Sequence, residues 1–448
     1  MAWVLTVALG AAFAAWLSFA LALRRMGALP ALGHLPATLP DDGAAWPAVS
    51  VVVACRNEEA AVRQAISSLL AQDYPQLEVV VVDDRSEDAT GAILRELAAG
   101  DPRLRVTRVD TLPPGWLGKT HAMHQGAAAA TGAWILFTDA DVMFAPDTLR
   151  RTVAWALREG LGHAVALPRF VAPGFLERGF VSLFGLLLLL HLRVDDLRRP
   201  GTPAYIGVGA FNLVRAAAYR AIGGHQLLRL EVADDIKLGM LLRRSGVPQG
   251  CADSNGLVRV RWQRGFRASM RGLLKNFFAG SEYRWTSTLQ LALLMLVGTT
   301  LPLAGLVLAL RLCGPWTWAL GAGAVVLPMA MLGASARRLA GGRGPEGLLL
   351  PIAGACLAGV ALASALLATV RGAIIWRGTR YPLAELRAGT VRAADWPFDR
   401  APGWSSPQLG EAGAIRNQRV RRALTVWRRS AAPKTADGAS PKDGPCRR

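Results

Sequence analysis

The sequence predicts a doubly wound α/β sheet, built from β-α-β units and carried on membrane-spanning helices. Three observations predict it. Short β-branched runs alternate with helical stretches over residues 48–170. Uncharged runs of span length stand at the N-terminus and again after residue 285. Carboxylates also collect where buried strands should end, as in "FTDADVMF", where Asp139 and Asp141 close the apolar run Trp134-Ile135-Leu136.

The strands come first. "AVSVVVAC" (48–55) and "LEVVVVDD" (77–84) are continuous apolar runs bounded by polar residues. Such runs suit strands buried on both faces of a parallel sheet. Between them, "NEEAAVRQAISSLLAQDYP" has helical periodicity and stops before Pro75. "SEDATGAILRELAAG" starts at Ser86, a cap residue, and ends at Gly100. "LRVTRVD" is a third strand and "GAWILFTDAD" a fourth. The order β-α-β-α-β-α-β requires crossover helices. In open sheets of this kind ligands bind beyond the carboxyl ends of the strands. Arg56-Asn57-Glu58, Asp83-Asp84 and Asp139 with Asp141 all arrive at that edge. Asp and Asn also serve as caps and turns. Taken jointly, that reading leaves several carboxylates crowded with no counter-charge nearby in sequence.

The membrane segments follow from composition. Of 448 residues, 52% are hydrophobic and the formal net charge is +19; mean hydropathy is +0.28. The basic excess is not read as nucleic-acid binding, because cytoplasmic loops of membrane proteins collect Arg and Lys. From Arg371 onward there are 16 Lys and Arg against 6 Asp and Glu, so this stretch reads as a basic arm near anionic lipid headgroups. The five Cys form no CxxC pair and no zinc spacing, which fits a reducing compartment. Residues 2–23 carry no charge and can cross a hydrocarbon core of about 30 Å. Arg24 and Arg25 follow at once and place the next segment in the cytosol.

The expected organisation is therefore an N-terminal anchor (1–25), a linker (26–47) and a cytosolic catalytic domain (48–257). An amphipathic interfacial segment (258–285), C-terminal transmembrane helices (286–372) and a basic, largely disordered tail (373–448) complete it. The three apolar stretches near 289–310, 315–335 and 347–370 would make four spans in all. Four spans put the basic tail outside, against the positive-inside rule. The stretch 347–370, with Pro351 and several Gly, is the one expected to be re-entrant or interfacial. "FVSLFGLLLLLHL" (180–192) is too short to span and reads as a core helix or an interfacial one.

The carboxylates point to a metal. An uncompensated pair at a strand end is costly and raises its own pKa values. A divalent cation removes that cost, and Mg²⁺ or Mn²⁺ takes one or two carboxylates with phosphates and water. Asp139 and Asp141 thus imply a metal–diphosphate. Asp234 and Asp235 in "LEVADDIKLGMLLRRSG" stand in a first helical turn, where the dipole favours negative charge; the other reading makes one of them a general base. In "VRVRWQRGFRASMRGLLKN" the basic residues suit lipid headgroups, or let Arg264 or Arg267 reach a diphosphate.

Together these residues resemble a membrane-anchored family 2 glycosyltransferase over roughly 48–285. The matching elements are "ACRNEE" (54–59), "VVDDRS" (81–86), "GWLGKTHAMHQG" (115–126), "TDADV" (138–142), "GAFNLVRAAAYRAIGGH" (209–225) and "EVADD" (231–235). The third is most similar to bacterial lipid glycosyltransferases associated with hopanoids and carotenoids, and also to ceramide glucosyltransferases. The resemblance implies a GT-A fold, a nucleotide-sugar donor (commonly a UDP-sugar) and a Mg²⁺ or Mn²⁺ cofactor. It places donor contacts on Arg56, Glu58, Asp83, Asp84, Lys119 and Asp139, with Arg264 and Arg267 on the diphosphate. It places the metal on Asp139 and Asp141, and the catalytic base on Asp235 beside Asp234. His121 and His124, one turn apart, read as packed or solvated rather than phosphate-binding. One departure stands out: Ala268 follows Arg267 where polymer-making and ceramide-type relatives carry Trp. The expectation is inverting transfer to a membrane-lipid hydroxyl at the cytosolic face of a bacterial inner membrane. Transfer to polyprenyl phosphate and processive polysaccharide synthesis are the alternatives. A transporter or scaffold has no use for the Asp constellation, and the apolar stretches hold almost none of the charges that transport favours.

Overall fold

The computed structural model describes residues 2–26, 29–40, 45–197, 199 and 201–395. Its centre is a seven-stranded sheet of order β3-β2-β1-β4-β8-β6-β9. These strands are β1 (Val49–Cys55), β2 (Leu77–Asp84), β3 (Leu104–Val109), β4 (Trp134–Asp139), β6 (His163–Leu167), β8 (Asn212–Arg215) and β9 (Gln249–Asp253). β8 runs antiparallel to both its neighbours, β4 and β6, and the other pairings are parallel. β1, β2 and β4 are buried along nearly their whole length, as their continuous apolar runs require, while the edge strand β3 is largely exposed.

Crossover helices α2 (Val62–Leu70), α3 (Thr90–Gly100), α4 (Gly118–Ala129) and α5 (Thr148–Arg158) cover the sheet. Register fixes what its carboxyl edge presents. Cys55 stands opposite Asp83, and Ala54 opposite Asp139. A second, three-stranded sheet pairs β5 (Val142–Phe144) with β10 (Val258–Val260), and β10 with β7 (Arg169–Phe170). It brings residues after 260 beside the Asp139–Asp141 turn.

Three expectations about organisation need correction. The linker is tied down: the Asp253 N–H donates to Pro30 O at 2.9 Å, and Arg158 donates to Thr38 O at 3.0 Å. The 258–285 segment is not one helix but β10, a turn, α9 (Phe266–Leu273) and α10 (Asn276–Gly280). The supposed tail begins with an ordered hairpin, β11 (Ala373–Trp376) and β12 (Thr379–Pro382), then α15 (Leu383–Gly389). Arg377 and Gly378 at its tip have φ of 47° and 77°, the two positive values of a two-residue hairpin turn. The rest of the tail, from 396 on, lies outside the described residues.

Helices α1 (Ala2–Met26) and α13 (Pro315–Ala340) are long and apolar enough to cross a membrane, as is the segment Pro345–Arg371 containing α14 (Leu350–Arg371). A fourth candidate is the pair α11 (Trp285–Thr299) and α12 (Leu301–Leu312), bent by 42° at Thr300. α1 and α13 run parallel, with Thr6 and Thr317 hydroxyls 2.7 Å apart. Their basic ends are paired to the sheet domain, Arg25 to Asp195 at 2.8 Å and Arg338 to Asp253 at 2.5 Å. α12 runs back against α1, where a Cβ on Gly305 would stand 3.0 Å from Leu9, and the Trp16 indole donates to Gly298 O of α11 at 2.8 Å.

α14 behaves differently. At its start, buried Glu346 pairs with Arg178 at 2.8 Å. At its far end, the Trp285 indole donates to Thr369 at 3.1 Å and the chain turns into the β11–β12 hairpin at the sheet edge. α14 runs antiparallel along α11, the Thr300 hydroxyl donating to Pro351 O at 3.3 Å near its start and the Trp285 indole meeting Thr369 near its end. The 180–192 stretch belongs to α6 (Phe175–His191), whose Gly179 and Gly185 meet Leu349 and Leu339, so it packs against the membrane helices. The remaining helices α7 (Ala216–Ala221) and α8 (Asp234–Arg244) lie against the sheet's second half.

α4 sits close on β1 because Gly126 has no side chain: an added Cβ would stand 2.4 Å from a Val52 methyl. Gly126→Ala should therefore cost about 1–3 kcal/mol, read as a lowered Tm in a detergent melt.

Candidate active site

One cleft opens at the carboxyl edge of the sheet. Arg56, Glu58, Asp84, Lys119, Asp139 and Asp141 line it. They come from the loop after β1, the end of β2, the start of α4 and the end of β4, where strand register had aligned them. Gly118 lets α4 approach β2, since a Cβ there would fall 2.1 Å from an Asp84 carboxylate oxygen.

Lys119 is the hub. Its Nζ lies 2.8 Å from Asp139 and 3.6 Å from Asp234. Burial pulls its pKa down, but Asp139, Asp234 and Asp235 more than reverse this, so it stays protonated. Asp234 also faces the His225 ring at 3.6 Å, and His225 is held in turn by Tyr219 Oη at 2.9 Å. Burial pushes the Asp234 carboxyl up; Lys119 and His225 outweigh it and hold the group below its ordinary range. Asp235 has no such cation to itself. Burial and then Asp234 push it up to about 6. The Gly209 N–H donates to one of its oxygens at 2.6 Å and the Ile236 N–H to the other at 2.8 Å. A Cβ on Gly209 would stand 2.8 Å from Asp139, 3.3 Å from Asp235 and 3.4 Å from Lys119. These three groups therefore meet over one glycine, although Asp234 and Asp235 do not line the cleft itself.

Asp141 is the uncompensated charge. Burial, then Asp139 and Glu58, push it up to about 7. Glu58 is already paired to Arg377. A buried Nε of Arg56 also lacks a partner among the described residues. An anionic ligand with a divalent cation answers both. No three His, Cys, Asp or Glu residues converge as a protein-only metal site among the described residues. Asp141 and Asp139 fit a cation whose remaining positions are filled by phosphates and water.

Three expected donor residues lie elsewhere. Asp83 neighbours Asp84 on the strand and faces away, paired to Arg108 at 3.0 Å and accepting from the Ser86 N–H at 3.1 Å. Arg264 and Arg267 do not line the cleft. In their place stand Trp262, Gln263 and Lys275 from the same segment. Lys275 lies 4.2 Å over the Trp376 ring, and burial, then Lys119, push its ammonium down to about 8. Trp262 stacks on Phe184. The missing aromatic inferred from Ala268 is thus no absence, because an indole reaches the cleft from five residues before Arg267. His121 and His124 pack on Trp116 instead.

The β11–β12 hairpin forms the remaining wall with Trp376, Arg377 and Tyr381. Arg56 donates to Thr379 at 3.0 Å, and the Gly118 N–H donates to Tyr381 Oη at 3.2 Å. Sequence reading missed this element, although "IIWRGTRYP" shows β-formers flanking Arg-Gly, a two-residue hairpin signal.

Residues 50–223 match the family model described as glycosyl transferase family 2. This segment is a family 2 glycosyltransferase domain. The 4,4'-diaponeurosporenoate glycosyltransferase of Staphylococcus aureus (strain USA300) is 27% identical over 267 residues, covering 59% of this chain and 70% of that protein. The same enzyme from strain NCTC 8325 / PS 47 gives the same figures. Among solved structures, the mannosyltransferase PcManGT of Pyrobaculum calidifontis, in complex with GDP-Man and Mn2+, overlaps at TM-score 0.46 and 23% identity, covering 83% of this chain and 92% of that one. The glycosyltransferase sheet is GT-A-like: mostly parallel, covered by crossover helices, with its cleft at the carboxyl edge.

The crowding of Asp141 has a sign that can be tested. A free aspartate ionises near about 3.9, so a folded pKa raised to about 7 makes the ionised form costly. Stability is then lost as pH rises toward 7 and is fully present below about 4. Asp141→Asn should raise the Tm of the metal-free protein at pH 8 and leave it unchanged at pH 4. Added Mn²⁺ with a nucleoside diphosphate should raise the wild-type Tm at pH 8, and that of the variant much less.

Proposed function

We propose that this glycosyltransferase transfers a sugar from a nucleotide-sugar to the hydroxyl of a membrane lipid, with inversion, at the cytosolic face of a bacterial inner membrane. The observation that carries the reading is the meeting of Lys119, Asp139 and Asp235 over Gly209, with uncompensated Asp141 alongside in the cleft. The carotenoid-acid name of the S. aureus relative supports a lipid-like acceptor. Asp84 and Arg56 hold the donor's nucleotide end. Asp139 and Asp141 hold Mg²⁺ or Mn²⁺, which neutralises charge as the diphosphate departs. Lys119 and Lys275 add fixed positive charge at the same place. Asp235 takes the proton of the acceptor hydroxyl. Its two backbone N–H donors fix the carboxylate, and its raised pKa suits a base working near neutrality. Asp234, tied to Lys119 and His225, positions the turn that carries Asp235.

The helices support the sidedness. Arg24, Arg25, Arg337 and Arg338 stand at the ends of α1 and α13 nearest the sheet domain, which by the positive-inside rule is the cytosolic side. α1, the bent α11–α12 pair and α13 then make three crossings. α14 lies at the interface, and the basic tail stays in the cytosol near anionic headgroups.

Repeated transfer is a second reading, favoured by Trp262 in the cleft, where an indole can stack on a sugar. Products bearing one sugar exclude it; a ladder of lengths supports it.

Three outcomes are expected. Asp235→Asn should lower transfer by about 100-fold or more while donor binding persists; turnover within about tenfold of wild type removes Asp235 as the base. In the wild type, kcat/KM should fall as pH drops through about 6, because the base must be ionised. Cys313 in the turn between α12 and α13 is partly exposed. With the other cysteines removed, a membrane-impermeant maleimide should label it in intact cells and should not label a cysteine placed at Arg343 or Gly378.

A further inference from the structure

A second cavity, of about 370 Å³, adjoins the donor cleft and shares Gln263, Lys275, Trp376 and Arg377 with it. Its other walls come from α9, the C-terminal end of α14 and β11. Four cations line it, Arg271, Lys275, Arg371 and Arg377, and no Asp or Glu does. Arg377 is turned to Glu58 in the donor cleft. Lys275 hydrogen-bonds Asn276 at 2.9 Å and lies over the Trp376 ring. The Arg271 guanidinium has a weak contact, 3.4 Å, to the Arg267 carbonyl. Like charges gathered with no acid among them repel, and an anion seated there relieves the repulsion. Leu274, Leu367, Ile374 and Ile375 make the rest of the wall apolar. Wall residue Ile375 on β11, and Leu366 and Val370 beyond the wall on α14, are exposed, facing the bilayer in the arrangement proposed above.

The donor does not account for two of these cations, because its phosphates belong at the sheet edge with Lys119, Arg56 and Lys275, and Arg271 and Arg371 do not line that cleft. An apolar wall leading to a cationic end describes a site for an amphiphile with a charged head. We propose that this cavity seats the acceptor, and that the acceptor is an anionic amphiphile whose carboxylate or phosphate lies near the hydroxyl that receives the sugar. This rests on the transfer reading above and specifies its acceptor.

The test uses the full chain in neutral detergent micelles, so that bulk surface charge is absent. Two matched acceptor pairs are compared: a hydroxy fatty acid with its methyl ester, and phosphatidylglycerol with diacylglycerol. The first pair tests a carboxylate and the second a phosphate. Wild-type KM should be about tenfold or more lower for the anionic member of at least one pair, a difference of about 1.4 kcal/mol. The double variant Arg271→Gln/Arg371→Gln should raise KM for that member by a similar factor. It should leave the neutral member and the slow acceptor-free hydrolysis of the donor unchanged. No preference within either pair overturns the proposal, as does a double variant that weakens both members equally. The wild-type comparison stands even if the variant fails to fold. Wild-type protein that turns over no nucleotide-sugar overturns both readings; turnover without preference overturns this one alone.

Discussion

The site depends on one half-buried ammonium. Lys119, at the first turn of α4, is shared between Asp139 at the end of β4 and Asp234 at the start of α8. The two carboxylates are 95 residues apart in sequence. Remove the lysine and Asp139, Asp234 and Asp235 lose the counter-charge they share. Burying charges this way is rarely the cheapest way to stabilise a fold; perturbed groups crowded in a cleft are what catalysis requires. The close packing is subordinate to it. Gly118 and Gly126 bring α4 onto the sheet, and Gly209 lets three functional groups meet where any side chain would part them.

Asymmetry among the carboxylates follows from that single cation. Asp234 has Lys119 and His225, Asp139 has Lys119, and Asp84 has the guanidinium of Arg85 at 2.8 Å. Asp141 and Asp235 are left with raised pKa values. They are the two that the proposed chemistry asks to meet a metal and a proton. Division of labour between neighbouring aspartates is thus set by who holds the lysine, not by residue type.

What could be read from sequence has a physical boundary. Parallel buried strands leave continuous apolar runs, so β1, β2 and β4 were legible, and with them the edge where Arg56, Asp84 and Asp139 stand. Successive residues on a strand face opposite ways, and sequence cannot say which of Asp83 and Asp84 looks into the cleft; Arg108, 25 residues away, decides it. Arg264 and Arg267 stand off the cleft for a similar reason: pairing of β10 with β5 sends Trp262 and Gln263 to the cleft first. The hairpin wall was missed because its partner, Arg56, is more than 300 residues upstream. No local pattern carries a contact of that range.

The same boundary explains α14. Hydropathy scores a 22-residue apolar helix alike whether it crosses a bilayer or lies along one. The arrangement proposed above lays α14 along the bilayer. At about 1.5 Å per residue the helix is a rigid strut from the Arg178–Glu346 pair to the hairpin. No glycine or proline interrupts it between Gly359 and Arg371, the part that faces α10 and the second cavity. The hairpin carrying Trp376 and Arg377 therefore keeps a fixed depth relative to the apolar face of α14. On the acceptor route proposed above, a lipid reaching the donor cleft past Val370 and Ile375 would meet the cations of the second cavity before Lys119, charge first and sugar second.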